Sequence, residues 1–323
     1  MKRLFALLVA LIGYAVTLSA EEGGKQTTKV PFGDPFILLH EGTYYAYGTN
    51  SDQGILVYTS DNLKDWYYPD GRTEPLVALH KDDVWADRWF WAPEVYYINE
   101  KFYMYYSADE HICVAVADKP TGPFRQEVQR PMLEGEKSID NSLFIDDDGK
   151  AYLFFDRFND GLNIWVAELE EDLITIKPNT MHPCIHVSQA WEEVWPRVNE
   201  GAYVIKHKGV YYMTYSANSY ESQSYGIGCA TATDIYGPWT KYKENPLLQK
   251  PGTLQGVGHS AFFKDKRGNL RIVYHAHFND QKIHPRHMYI GTVKFKKQKE
   301  GADRMVISQD YLTPILHLPG KER

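Results

Sequence analysis

A small set of acids and one histidine recurs at regular distances ahead of aromatic-rich segments, and chemistry could reside there. Asp34 stands eight residues before Gly42, while Asp140, Glu200 and His259 stand nine residues before Gly149, Gly209 and Gly268. Ala92-Pro93-Glu94 occupies the matching stretch ahead of Glu100. Carboxyl groups gathered around one pocket are the equipment of glycosidic-bond hydrolysis: one works as an ionised base, another as a protonated acid. A third carboxyl close by keeps the acid protonated, because like charges disfavour ionisation. Any one of these residues alone reads as a strand-end cap or a surface charge. Three acids recurring at offsets of eight or nine do not. By contrast, Asp146-Asp147-Asp148 precedes Gly149 and reads as turn chemistry. Glu192-Glu193 reads as a surface or rim loop. Trp85, Trp89, Phe90 and Trp91 would wall the pocket with aromatic faces suited to sugar rings.

The elements that must position these groups come from an internal repeat. A turn is followed by an aromatic-rich strand in Gly42-Thr43-Tyr44-Tyr45-Ala46-Tyr47, and again in Glu100-Lys101-Phe102-Tyr103-Met104-Tyr105-Tyr106. Gly149-Lys150-Ala151-Tyr152-Leu153-Phe154-Phe155, Gly209-Val210-Tyr211-Tyr212-Met213-Thr214-Tyr215 and Gly268-Asn269-Leu270-Arg271-Ile272-Val273-Tyr274 complete the set. The turn residues are spaced by 58, 49, 60 and 59. Short apolar runs precede each turn, which makes hairpins. A third strand follows in most copies. Three to four strands per repeat predict an all-β, five-bladed β-propeller, with an irregular sandwich or barrel as the alternative. The innermost strand of each blade lines the channel, so equal offsets are expected to place Asp34, Asp140, Glu200 and His259 at equal heights. No linker-like stretch divides the chain, so residues 21–323 are expected to be one domain. The segment from Gly301 would close the ring or pack on its surface.

Composition bounds the reading. The 323 residues carry 35 Lys+Arg against 42 Asp+Glu, a net charge of −7, and 14% are aromatic. An acidic chain of this kind is not built for nucleic acid, which demands many phosphate-neutralising cations. Three cysteines without a CxxC pair exclude a thiolate zinc site and a dense disulfide framework. Lys2-Arg3, an apolar run from Leu4 to Leu18 and Ser19-Ala20 read as a signal peptide over residues 1–20. The run is too short to span a bilayer. Export to a bacterial periplasm or the medium is therefore expected, with no membrane insertion after cleavage.

The motifs Phe32-Gly33-Asp34-Pro35-Phe36, Trp91-Ala92-Pro93-Glu94, Ser138-Ile139-Asp140-Asn141-Ser142 and Val198-Asn199-Glu200-Gly201-Ala202 together resemble those of glycoside hydrolase family 43, over about Pro31 to Phe295. That resemblance implies a five-bladed propeller and inverting hydrolysis. It implies Asp34 as general base, Glu200 as general acid and Asp140 as the group that tunes and orients the acid. It also implies substrate contacts from Trp89, Phe90, Trp91, Glu94 and Arg286. His259 would meet a central ion, calcium being the reasonable one, or a water cluster in the channel; no cofactor would be required. The related sucrose and fructan hydrolases are disfavoured, since no Glu is followed by Cys. The Trp-rich insertion from Val84 to Trp91 suggests a closed pocket and exo action on plant cell-wall polysaccharide or its oligosaccharides. The expected reaction is removal of terminal α-L-arabinofuranose by a monomer. A β-xylosidase, an endo-arabinanase or galactanase, and a non-catalytic sugar-binding propeller are the alternatives.

Overall fold

The computed structural model describes residues 26–195 and 197–320. The signal-peptide reading of residues 1–20 lies outside them. After β1 (Thr27–Lys29) the chain forms β2 (Gly33–His40), β3 (Thr43–Thr49), β4 (Gly54–Ser60), β5 (Asp65–Trp66) and β6 (Leu76–His80). Next come β7 (Trp91–Ile98), β8 (Lys101–Ala108) and β9 (His111–Ala117), then β10 (Ser138–Ile145), β11 (Ala151–Phe158), β12 (Leu162–Glu168) and β13 (His182–Ile185). β14 (Asn199–His207), β15 (Val210–Ala217), β16 (Gly226–Ala232) and β17 (Thr240–Lys241) follow. β18 (Gly258–Lys264), β19 (Leu270–Ala276), β20 (His287–Lys296), β21 (Arg304–Leu312) and β22 (Ile315–His317) complete the order.

These strands make an all-β propeller. Each repeat of the sequence folds into one antiparallel sheet, with orders β2-β3-β4-β6, β7-β8-β9, β10-β11-β12-β13, β14-β15-β16-β17 and β18-β19-β20-β21. The expectation of five sheets is corrected to six. The additional sheet, β1-β22-β5, joins the two ends of the described chain to a short strand of the first repeat. β22 pairs antiparallel with β1 and parallel with β5, with Leu316 opposite Trp66. No repeat signal could reveal it, because its strands come from three distant places.

Hairpin chemistry builds the blades. Glu41-Gly42, Asn99-Glu100 and Lys208-Gly209 are two-residue loops with both residues at positive φ, the geometry that matches the twist of paired strands. The loops 146–150 and 265–269 are longer. The core lies between the blades. Its largest cluster packs Phe36, Tyr47, Met104, Phe263 and Val273 from three repeats, together with Trp66 and Leu316 of the sixth sheet. Among the described residues no helix is long and apolar enough to cross a membrane. Cys113, Cys184 and Cys229 are free thiols.

Candidate active site

Every innermost strand breaks its ladder near its start. The register shifts fall between Gly33 and Phe36, Trp91 and Glu94, Ile139 and Ser142, Glu200 and Tyr203, and Gly258 and Ala261. The bulged residue is left-handed in each case: Asp34 (φ 45°), Ala92 (46°), Asp140 (59°), Gly201 (61°) and His259 (47°). Bulges re-aim side chains, and a positive φ in Asp or His is uncommon backbone held by its surroundings.

The holding contact is the same five times over. The N–H of Asp34 donates to His275 Nδ1 (3.1 Å), that of Ala92 to Thr49 Oγ1 (3.0 Å) and that of Asp140 to Ser107 Oγ (2.8 Å). Gly201 donates to Asp156 Oδ2 (2.9 Å) and His259 to Ser216 Oγ (2.7 Å). Each acceptor sits near the end of the second strand of the preceding blade. The ring of bulges is thus closed by a ring of inter-blade hydrogen bonds.

This frame corrects the equal-height expectation. Asp34, Asp140 and His259 are equivalent, but the residue equivalent to them in the fourth repeat is Gly201. Glu200 stands one position earlier. The reason is loop length: Gly209 closes a two-residue turn, as Gly42 does, whereas Gly149 and Gly268 lie in five-residue loops. Gly201 at the bulge leaves room for its neighbour, since a Cβ there would lie 3.0 Å from His259 Nδ1.

The electrostatics separate the carboxyls. Asp34 is 8% exposed and held on all sides. Arg286 donates to both its oxygens, Nη1 to Oδ1 at 2.6 Å and Nη2 to Oδ2 at 2.9 Å, and Thr49 Oγ1 donates to Oδ2 at 2.7 Å. Burial alone would raise its pKa, but Arg286, His259 and His275 outweigh it and hold the carboxyl well below the usual range. Glu200 goes the other way. Burial and the Asp34 charge push it up to about 7, against a hydrogen bond from Tyr225 and the charge of Arg286. Tyr225 Oη donates to Glu200 Oε1 at 2.6 Å. Asp140 is raised well above the ordinary value by burial and by Glu200 and Asp34. His275 is fully buried and lowered to about 3 by burial and Arg286, so it is neutral. A carboxylate held ionised and a carboxyl with a pKa near neutrality, on β2 and β14 across one channel, can serve as a base and an acid.

The other expected site residues divide. Trp89 and Trp91 stack at 5.9 Å, and Arg88 lies 4.5 Å over Trp89, which is 46% exposed. Phe90 is not on the wall: it is 1% exposed and stacks on Tyr106 in the core. Glu94 lies two residues deeper than the bulge, at the level of Phe36 and Tyr203. It is buried and accepts from Tyr96 Oη. Burial raises its pKa to about 8, opposed by hydrogen bonds from Tyr96, Ser142 and the Leu143 amide. Glu94 therefore belongs to the floor beneath the acids rather than to a sugar-facing wall. Arg286 meets Asp34, and its guanidinium lies 4.8 Å over the Tyr220 ring.

His259 Nδ1 faces Asp34 Oδ1 at 3.6 Å and Asp140 Oδ2 at 3.7 Å. Among the described residues no group of three or more His, Cys, Asp or Glu is placed to hold a metal. The expected calcium is not evidenced: the imidazole offers one nitrogen to a cation that takes six to eight oxygen ligands, so such an ion would have to be mostly hydrated; the imidazole is an electrostatic neighbour of the two carboxyls.

Sequence reasoning missed Thr49, Ser107, Asp156, Ser216, Tyr225 and His275. A faint signal existed for some: Ser107, Asp156, Ser216 and His275 each follow an aromatic at the end of the repeat. It also missed rim aromatics on the other blades. Phe158 (50% exposed), Trp195 (47%) and Phe278 (41%) fall, like Trp89, at the end of their repeats where the innermost strands begin and the second strands finish.

Comparison with known proteins shows the family. The profile described as "Glycosyl hydrolases family 43" matches residues 28–299. Among solved structures, an endo-1,4-beta-xylanase from Bacteroides thetaiotaomicron is 43% identical, with a TM-score of 0.84 over 91% of this chain and 99% of that one. A beta-D-galactofuranosidase of Aspergillus niger is 25% identical over 82% of this chain and 79% of its own. A xylosidase/arabinosidase of Humicola insolens is 27% identical over 66% and 79%.

Proposed function

We propose a substrate and a mechanism on the premise that the chain belongs to glycoside hydrolase family 43: the protein cleaves pentosyl linkages of plant cell-wall polysaccharide with inversion. The carrying observation is the divergence of two carboxyls in one channel, with Asp34 held ionised by Arg286 and Glu200 raised to about 7. Asp34 takes a proton from water as that water attacks the anomeric carbon. Glu200 gives its proton to the departing glycosidic oxygen, and each turnover leaves the two groups in exchanged protonation states until solvent resets them. Asp140 shares the channel with both, and its own pKa is raised by burial and their charges; in its ionised form it favours the protonated acid by like-charge repulsion.

The pentose read first is a terminal α-L-arabinofuranose, supported by the stacked Trp89–Trp91 wall beside the acids and by arabinosidases among the relatives. A second reading, action within a xylan backbone, is favoured by a different observation. Trp89, Phe158, Trp195 and Phe278 are exposed on loops or strand ends of four repeats, at the end where the innermost strands begin, which suits a chain extending beyond one sugar. The 43%-identical endo-1,4-beta-xylanase points the same way. Export of a single catalytic domain over residues 21–323 completes the proposal, in keeping with relatives described as extracellular.

Proton NMR of the earliest product from arabinan, arabinoxylan and xylan tests both parts. The expected first sugar has the opposite anomeric configuration to its substrate. A retained anomer would make Asp34 a nucleophile and overturn the mechanism, and the substrate that is cut selects between the two readings.

A further inference from the structure

Two members of the ring of inter-blade acceptors are titratable: His275, whose ring also lies against Asp34 and Arg286, and Asp156, whose chemistry exceeds its task. A hydroxyl suffices to receive a bulge N–H, as Thr49, Ser107 and Ser216 demonstrate. The third blade uses a carboxyl instead. Asp156 is 0% exposed; its Oδ2 takes the Gly201 N–H at 2.9 Å, and its Oδ1 is buried with no donor among the described residues. Burying a carboxyl oxygen without a partner is costly, and a serine would avoid the cost. What Asp156 faces is Asp140, one strand away, with Ile139 directly opposite it across the β10–β11 ladder.

Two carboxyls side by side in a dry interior cannot both ionise, and a hydrogen bond between them requires a proton. The charge belongs on the group with the better surroundings. Asp140 is 8% exposed and faces His259; burial, Glu200 and Asp34 raise its pKa, but a hydrogen bond from Asp156 and the charge of Arg286 pull it down, so of the two carboxyls it is the better placed to carry the charge. Asp156 has Asp140, Glu200 and the Cys184 thiol as its titratable neighbours, none of them cationic. We propose that Asp156 is a positioning residue: as a neutral acid it donates a hydrogen bond to ionised Asp140 through one oxygen, and through the other it fixes Gly201 beside Glu200. It would thereby keep the charge of Asp140 aimed at Glu200 and tie both to one rigid strand. Burial and the Asp140 charge raise the pKa of Asp156 well above the ordinary value, in the direction this requires.

The inference rests on the reading of Asp140 and Glu200 given above, and its test has an arm that does not involve catalysis. Asp156→Ser installs the hydroxyl latch that three other blades use but is too short to reach Asp140. Asp156→Asn keeps the acceptor for Gly201 and offers an N–H to Asp140. The expected kcat of Asp156→Ser is at least tenfold down, with the basic limb of its pH profile moved to lower pH, while Asp156→Asn keeps the limb of the unmodified enzyme. If Asp156 is only a backbone latch, Asp156→Ser matches the unmodified enzyme in both, and the proposal fails. The second arm is thermal unfolding across pH. A carboxyl whose folded pKa is raised must take up a proton on folding, so its contribution to stability is lost as pH rises. The Tm of Asp156→Asn should therefore gain on that of the unmodified protein from acidic to mildly alkaline pH. A Tm difference independent of pH shows Asp156 to be ionised in the native state and overturns the proposal, even where Asp156→Ser does not fold. Because this arm needs no substrate, it stands or falls apart from the assignment of Glu200 as acid.

Discussion

The behaviour of Glu200 turns on three neighbours from distant parts of the chain: Asp34 on β2, Tyr225 just before β16 and Arg286 just before β20. Burial and Asp34 push its pKa to about 7, while the Tyr225 hydroxyl limits the rise. An acid poised there is half protonated near neutrality, which suits proton donation to a leaving group at that pH. Glu200→Gln keeps the shape and the hydrogen bond to Tyr225 but has no proton to give. Hydrolysis of natural polysaccharide should fall by about 10²–10⁴-fold, the usual contribution of a general acid. Aryl glycosides whose phenolate departs unaided should lose far less. Equal losses on both substrates, measured as kcat/KM, would remove Glu200 from the role.

At the scale of the element, the bulge is the device that makes the site. It turns Asp34 into the channel and leaves Gly33 behind it, where a Cβ would overlap the Arg286 guanidinium. Gly33→Ala should therefore push Arg286 away from Asp34 without touching either group. The sign of the effect follows from the charge. Asp34 works as a base only when ionised, and Arg286 depresses its pKa. Loss of the guanidinium lets that pKa rise, so the acid limb of the kcat/KM profile moves to higher pH. Arg286→Gln should move it the same way. An acid limb unmoved in both variants would show that the ion pair does not set the state of the base.

For the whole molecule, closure depends on the sixth sheet. β22 carries Leu316, 2% exposed, onto Trp66, which is 0% exposed and donates its indole N–H to Leu63 O at 2.8 Å. This contact ties the C-terminal segment to the first blade and lies far from the bulge ring. Leu316→Ala should cost about 2–5 kcal/mol, the range for emptying a buried leucine site. Calorimetry should find a lower Tm, with kcat unchanged at temperatures where the variant is folded. An unchanged Tm would show that the strand is not part of the cooperative unit.

Some of this protein is written locally. The alternation of apolar and aromatic residues around Gly-containing turns specifies hairpins, because side-chain period and turn geometry depend only on near neighbours. Repetition of that pattern is enough to place Asp34, Asp140, Glu200 and His259 on innermost strands. What the chain order could not convey is everything that crosses between blades. Glu200 and Gly201 exchange places relative to the simple offset because two turns are long and two are short. Asp156, His275, Thr49 and Tyr225 meet the site from neighbouring strands, and residues far apart in sequence leave no spacing to read. Phe90 and Glu94 fit an active-site pattern by position, yet packing takes one into the core and the other below the acids. The sixth sheet likewise exists only once the ring has brought β1, β5 and β22 together.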